Sequence, residues 1–181
     1  MKDFVVLMDT VGDLSPELLE REEVETIPLT LRFDNEELVA EYGIDPKLIL
    51  EKVKTSRECP KTACPAPGDF ISFFEKYEGK RIYVVTLSSK LSGSYSSAVM
   101  AKDIYLEDNP HASIKVFDSL SASAGQGLIV SMILQLEDTF KQFNEVCSRI
   151  EEFIKNMCTI LVLEDLTFLE KNGRLKGVML M

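Results

Sequence analysis

Three short apolar runs limit what this chain can fold into: FVVLM (Phe4–Met8), RIYVVTL (Arg81–Leu87) and SIKVF (Ser113–Phe117). Each is strand-length and rich in β-branched or aromatic residues. The first two also lack the polar alternation of a half-exposed strand, so they read as strands buried on both faces. Segments with helical spacing stand between and after them. Ser15-Pro16 and Asp45-Pro46 each join a capping side chain to a proline suited to the first helical turn. Pro67 opens a helix carrying Phe70, Phe73, Phe74 and Tyr77, and a Gly/Ala/Ser-rich helix runs from about Ala122 to Leu136. Phe140, Phe143, Val146, Cys147, Ile150, Phe153, Ile154 and Met157 then recur at threes and fours, the apolar face of a further helix. Parallel strands need a crossover between them. Strands alternating with helices therefore predict an α/β fold, a mostly parallel, doubly wound sheet with helices on both faces.

The remaining segments are less regular. VETIPLTLRF reads as one strand, with Pro28 marking an edge or irregular position. DNEELVAEYGI reads as a polar hairpin or loop, and TSRECPKTACPAPGD, with three prolines and no period, as a long loop. CTILVL is expected as a strand and LTFLEKNGRLKG as a short helix, followed by the apolar VMLM. The expected organisation is one α/β domain over residues 1–157 and the start of a second over 158–181. An apolar strand left at that point invites edge pairing, hence self-association through the C-terminal segment.

Charge narrows the partners. Thirty acidic against 20 basic residues in a chain of 181 give a net charge of −10. Such a surface repels phosphate backbones and anionic headgroups, so neither nucleic-acid binding nor membrane insertion is expected. The four cysteines, Cys59, Cys64, Cys147 and Cys158, form no Cys-x-x-Cys pair, and His111 is the only histidine. No metal site is expected from that set; reduced thiols and a cytoplasmic protein are.

In open α/β sheets ligands bind at the carboxyl ends of the strands. Three polar loops should gather there: DTVGDLS, SSKLSGS and DSLSASAGQG. The second is the most telling, because it places Ser88, Ser89, Ser92, Ser94, Ser96 and Ser97 around Gly93 where a strand hands over to a helix. Three readings compete: a helix cap at Ser92, a serine nucleophile, or a cradle for an anion. A nucleophile needs a base, and His111 precedes a strand, at the opposite end of the sheet. Free N–H groups at a helix start suit a phosphate or a carboxylate. AGQG (Ala124–Gly127) reads as close helix–sheet packing, and Ser96 as part of the helix body. No Walker or dinucleotide fingerprint is present.

Taken together, the motifs DTVGDL (Asp9–Leu14), PKTACPAPG (Pro60–Gly68), SSKLSGSY (Ser88–Tyr95), Asp118-Ser119 and NGRL (Asn172–Leu175) resemble, in order and spacing, those of the DegV family of bacterial fatty-acid-binding proteins. Departures include Ala63 and Cys64 in place of Ser and Gln, and Thr10-Val11 in place of Ser-Thr. The resemblance implies a lipid-binding protein rather than an enzyme, with no cofactor. A long-chain fatty acid such as palmitate would lie in a tunnel between two domains, to be presented to a partner fatty acid kinase or used in lipid transport. It implies carboxylate binding by Thr62 and Ser92, with Asp9, Thr10, Ser89, Gly93, Asp118 and Ser119 as neighbours, and a role for Arg174 toward the kinase. The family's second domain supplies a tunnel wall and a histidine near the head group. The alternative is a phosphosugar- or phosphometabolite-binding domain that uses SSKLSGS as a phosphate cradle.

Overall fold

The computed structural model describes residues 2–140, 142–163 and 166–174. Its centre is a four-stranded, all-parallel sheet. The strands are β1 (Phe4–Asp9), β2 (Val24–Ile27), β6 (Arg81–Thr86) and β7 (Ile114–Asp118), in the order β2-β1-β6-β7. All six residues of β1 are buried, as expected of a strand covered on both faces. Alternate side chains divide between two cores. Phe4, Val6, Met8, Tyr83 and Val85 pack under α5 (Ala124–Thr139) and α6 (Phe143–Asn156). Val5, Leu7, Ile82 and Val84 pack under α3 (Pro67–Lys76) and α4 (Ser94–Asp108), where Phe70 and Phe74 are fully buried. The doubly wound α/β expectation therefore holds.

VETIPLTLRF is two strands, not one. Its first half is β2 at the edge of the parallel sheet. Its second half, β3 (Leu29–Phe33), is the centre of a separate antiparallel sheet, between β4 (Glu36–Ala40) and β5 (Lys61–Ala63). Pro28 has no N–H to continue a ladder, and the chain changes sheets there. The turn and second strand of the β3–β4 hairpin fall in DNEELVAEYGI, expected as a polar hairpin or loop, and β5 lies within the proline-rich segment expected as a loop. Two short helices complete the first half of the fold, α1 (Pro16–Leu19) and α2 (Pro46–Thr55). In α2 the Asp45 carboxylate accepts from Lys47 N–H at 2.9 Å, the cap anticipated from the sequence.

CTILVL is not a strand. It has no ladder partner among the described residues, and Ile160 and Val162 are 82% and 91% exposed. Strand propensity gives no strand without an edge to pair with. The short helix α7 (Thr167–Lys171) follows as anticipated, whereas Leu175 and VMLM lie outside the described residues. No described helix is long and apolar enough to cross a membrane.

Candidate functional site

Parallel strands end at one edge of their sheet, and the three polar loops meet there. Asp9, the last residue of β1, is 1% exposed and ties them together. Its Oδ2 accepts from Leu87 N–H at 2.6 Å, and its Oδ1 from Gln126 Nε2, on α5, at 3.0 Å. Ser88 N–H donates to Ser121 O (2.9 Å), and Ser89 N–H to the Asp118 carboxylate (3.0 Å), which also accepts from Leu120 N–H (3.1 Å). Burial pushes the Asp9 carboxyl above the usual carboxylate range; hydrogen bonds from Gln126, Leu87, Val11 and Ser94 pull the other way without cancelling it.

Between β6 and α4 the serine loop winds into one turn, with Leu91 and Ser92 N–H both donating to Ser88 O. Gly93, just before α4, already has helical backbone angles and brings no capping side chain. Ser92 sits one residue earlier. Its Oγ accepts from Ser94 N–H (3.2 Å) and shares a hydrogen bond with Ser94 Oγ (3.0 Å), the local turn chemistry of a serine before a helix. The N–H groups of Gly93, Tyr95 and Ser96 find no acceptor among the described residues. A helix start with donors to spare is an anion site in waiting.

A cavity of about 1050 Å³ opens on this turn. Ser89, Ser92, Gly93 and Arg174 line it, as do Lys90 and Leu91. Ser96 lines it too, so this residue belongs to the site and not to an uninvolved helix body. Arg174 Nε donates to Leu91 O at 3.2 Å, which sets a cation on the rim beside Lys90. Asp9, Asp118 and Ser119 support the cavity from behind: Ser119 is buried, donating to Ser121 O and accepting from Ser121 N–H. Thr10 serves the junction of the two sheets, where its Oγ1 accepts from Leu29 N–H at 3.2 Å.

Thr62 stands apart from these residues. It is exposed on β5, in register with Leu31, and does not line the cavity. Its loop nonetheless abuts the site. Ser97 Oγ donates to Pro65 O (2.6 Å), Asn172 Nδ2 to Pro60 O (3.4 Å), and Cys64 Sγ lies 3.2 Å from where a Cβ on Gly93 would be. All four cysteines are free. No cluster of metal-ligating side chains occurs among the described residues. His111 is an exposed turn residue before β7, at the amino end of the sheet.

Sequence reasoning missed Gln126, Ser121, Thr159 and Asn172. Gln126 is fully buried against Asp9, and the only signal for it is a polar side chain between two glycines at a helix start. The Ser121 and Thr159 hydroxyls bond at 2.6 Å across 38 residues, a pairing with no local signature.

These features define an open, parallel α/β domain with a polar, donor-rich cavity at the carboxyl ends of its strands. The chain belongs to the DegV family: the family model described as an uncharacterised protein of that family matches residues 3–181. A DegV domain-containing protein of Streptococcus pneumoniae is 37% identical over 150 residues, 83% of this chain and 53% of that protein. Among solved structures, a DegV-family protein of Ruminococcus gnavus with vaccenic acid superposes with a TM-score of 0.92 at 36% identity, over 99% of this chain and 64% of its own. The fatty acid kinase (Fak) B3 protein of S. pneumoniae, loaded with linoleic acid, gives 0.76 at 33% identity, over 85% and 55%. The chain thus spans less than two thirds of the length of these relatives.

Proposed function

We propose that this chain binds a long-chain fatty acid, with the carboxylate at the start of α4, and that it presents the lipid to a partner kinase rather than acting as a catalyst itself. The observation that carries the reading is the set of unclaimed donors on one helix start: the N–H groups of Gly93, Tyr95 and Ser96, with the Ser92 hydroxyl beside them. The acyl tail comes from the relatives, whose structures hold vaccenic, linoleic and heptadecanoic acids. Burying about 14 methylenes at roughly 0.8 kcal/mol each offers on the order of 11 kcal/mol before ordering costs. We assign Thr62, on the loop that abuts Gly93, to the second hydroxyl of the head-group site. Arg174, on the rim and bonded to the serine turn, is assigned to the kinase-facing surface.

The test is displacement of a fluorescent fatty acid, together with native mass spectrometry of protein purified from cells. A hydrogen bond to a charged group contributes about 1.5–3 kcal/mol, so Ser92→Ala and Thr62→Ala should each weaken binding about tenfold or more. Ser148→Ala, on an exposed face of α6, should leave it unchanged. Wild-type affinity in both site variants, or a co-purified phosphosugar mass in place of an acyl mass, would overturn the reading.

A further inference from the structure

Thr62 and Ser92, the two hydroxyls assigned to the head group, belong to different sheets. β5, which carries Thr62, is a three-residue edge strand paired with β3 alone. Ser92 follows β6, inside the parallel sheet. No ladder joins the two sheets among the described residues, so the spacing of the two hydroxyls is left to side-chain ties. Such ties exist at both ends of β5. Just after the strand, Ser97 Oγ on α4 donates to Pro65 O at 2.6 Å. Just before it, Asn172 Nδ2 donates to Cys59 Sγ at 3.3 Å and to Pro60 O at 3.4 Å. A side-chain amide nitrogen carries two hydrogens, one for each of these acceptors.

Asn172 is itself anchored to the serine turn. It follows α7, where the chain reverses at Gly173, whose φ is 70°. Gly173 N–H donates to Glu170 O and Arg174 N–H to Leu169 O, both at 2.8 Å, a glycine-terminated helix end. Arg174 then reaches across with Nε to Leu91 O at 3.2 Å, and its Nη1 donates to Asn172 O. Two routes therefore connect the hydroxyls. One runs from Thr62 through Pro60, Asn172 and Arg174 to Leu91, the neighbour of Ser92. The other runs through Pro65 to Ser97, on the helix that Ser92 precedes. We propose that Asn172 and Ser97 are positioning residues that pin the two ends of β5 and so set the Thr62 hydroxyl against a carboxylate seated at the start of α4. The inference rests on the head-group site proposed above. Neither side chain bonds the ligand in this scheme; each acts through Thr62. With one pin gone, the edge strand is tethered at a single end, and the Thr62 hydroxyl spends part of its time on water instead of on the carboxylate.

The test compares two ligands and a set of double variants. Dodecanoate and dodecanol are titrated calorimetrically into wild type, Asn172→Ala, Ser97→Ala, Thr62→Ala and the two doubles that join each pin variant to Thr62→Ala. Dodecanol shares the tail and lacks the carboxylate, so its binding reports an intact cavity and a folded chain. Each pin variant should lose about three- to tenfold in dodecanoate affinity, the worth of one net hydrogen bond, and bind dodecanol as wild type does. Each double should bind dodecanoate no more weakly than Thr62→Ala alone, because residues that act through one group do not add. Wild-type dodecanoate affinity in either pin variant overturns the two-ended brace. Equal losses for both ligands overturn it too, since the cavity as a whole would then have changed. A double that loses the full product of its two single effects places the pin's action elsewhere than on Thr62 and overturns it as well. In each of these cases wild type still binds dodecanoate and the fatty-acid reading stands; a wild type that binds no dodecanoate removes both.

Discussion

Replacing Gly127 by Ala should destabilise the protein, although alanine is the better helix former. Gly127 is buried near the start of α5, where the helix crosses the loop after β1. A Cβ there would overlap the Asp13 carbonyl oxygen and come within 3.2 Å of its carbon, and backbone cannot swing aside as a side chain can. Relief requires moving α5, which holds Ile129, Val130, Ile133 and Leu134 against the sheet at 0–2% exposure. Overpacking of this kind costs about 1–3 kcal/mol, and the rigid partner argues for the upper end. The gain in helix propensity returns about 1 kcal/mol. The net loss should be about 2 kcal/mol, or a drop of about 1 M in the urea midpoint for a slope near 2 kcal/mol/M. Gly68 is the matched control. It also lies in a helix, but nothing stands within 4 Å of its would-be Cβ, so Gly68→Ala should hold or slightly raise the midpoint. The assay is urea unfolding followed by circular dichroism, with wild type and both variants side by side. A Gly127→Ala midpoint at or above wild type would refute the reasoning.

Two further predictions concern titratable groups. Arg21, and after it Lys2, holds the Glu23 carboxylate well below its usual range, at about 2, against the opposing effect of burial. Its folded value is below the unfolded one, so the stabilisation is complete above about pH 4.5 and is lost as pH falls toward 2; Glu23→Gln should flatten that part of an acid unfolding curve. Burial pushes the Cys147 thiol up to about 11, so at pH 8 iodoacetamide should label the exposed Cys158 first and Cys147 only on unfolding, as read by mass spectrometry of the digested protein.

The parts of the fold that were legible in the sequence are those whose signal is local. β1 and β6 announce themselves because burial on both faces leaves an apolar run, Phe4–Met8 and Ile82–Val85, with no polar alternation inside it. The AGQG segment was read as close helix–sheet packing; the approach is close, but Gly125 and Gly127 sit where a Cβ would strike Ser121 and Asp13, which are loop residues and not sheet. The division at Pro28 was not legible, because apolar alternation continues while the chain changes sheets. Three residues of β5 are too few to show a period, and only pairing with β3 defines the strand. The serine loop was recognised as a helix start, and there Ser92 Oγ accepts from Ser94 N–H while Gly93 is already helical. Gln126 was invisible because its meaning lies 117 residues away, at Asp9.

The handover at Pro28 also divides the proposed head-group clamp between regions of unequal local stability. Ser92 hangs from β6, with residues 82–86 buried, at the centre of the parallel sheet. Thr62 hangs from an antiparallel sheet in which only Leu29 and Phe33 of β3 are buried, and which adjoins α2, a helix with no buried residue. Regions with few buried apolar contacts open at a free energy well below that of global unfolding. Amide hydrogens of β4, β5 and α2 should therefore exchange through local opening, while those of β1 and β6 wait for the whole domain. A ligand held by both hydroxyls would slow exchange mainly in the first group, so the conformational cost of binding falls on the Thr62 side of the clamp.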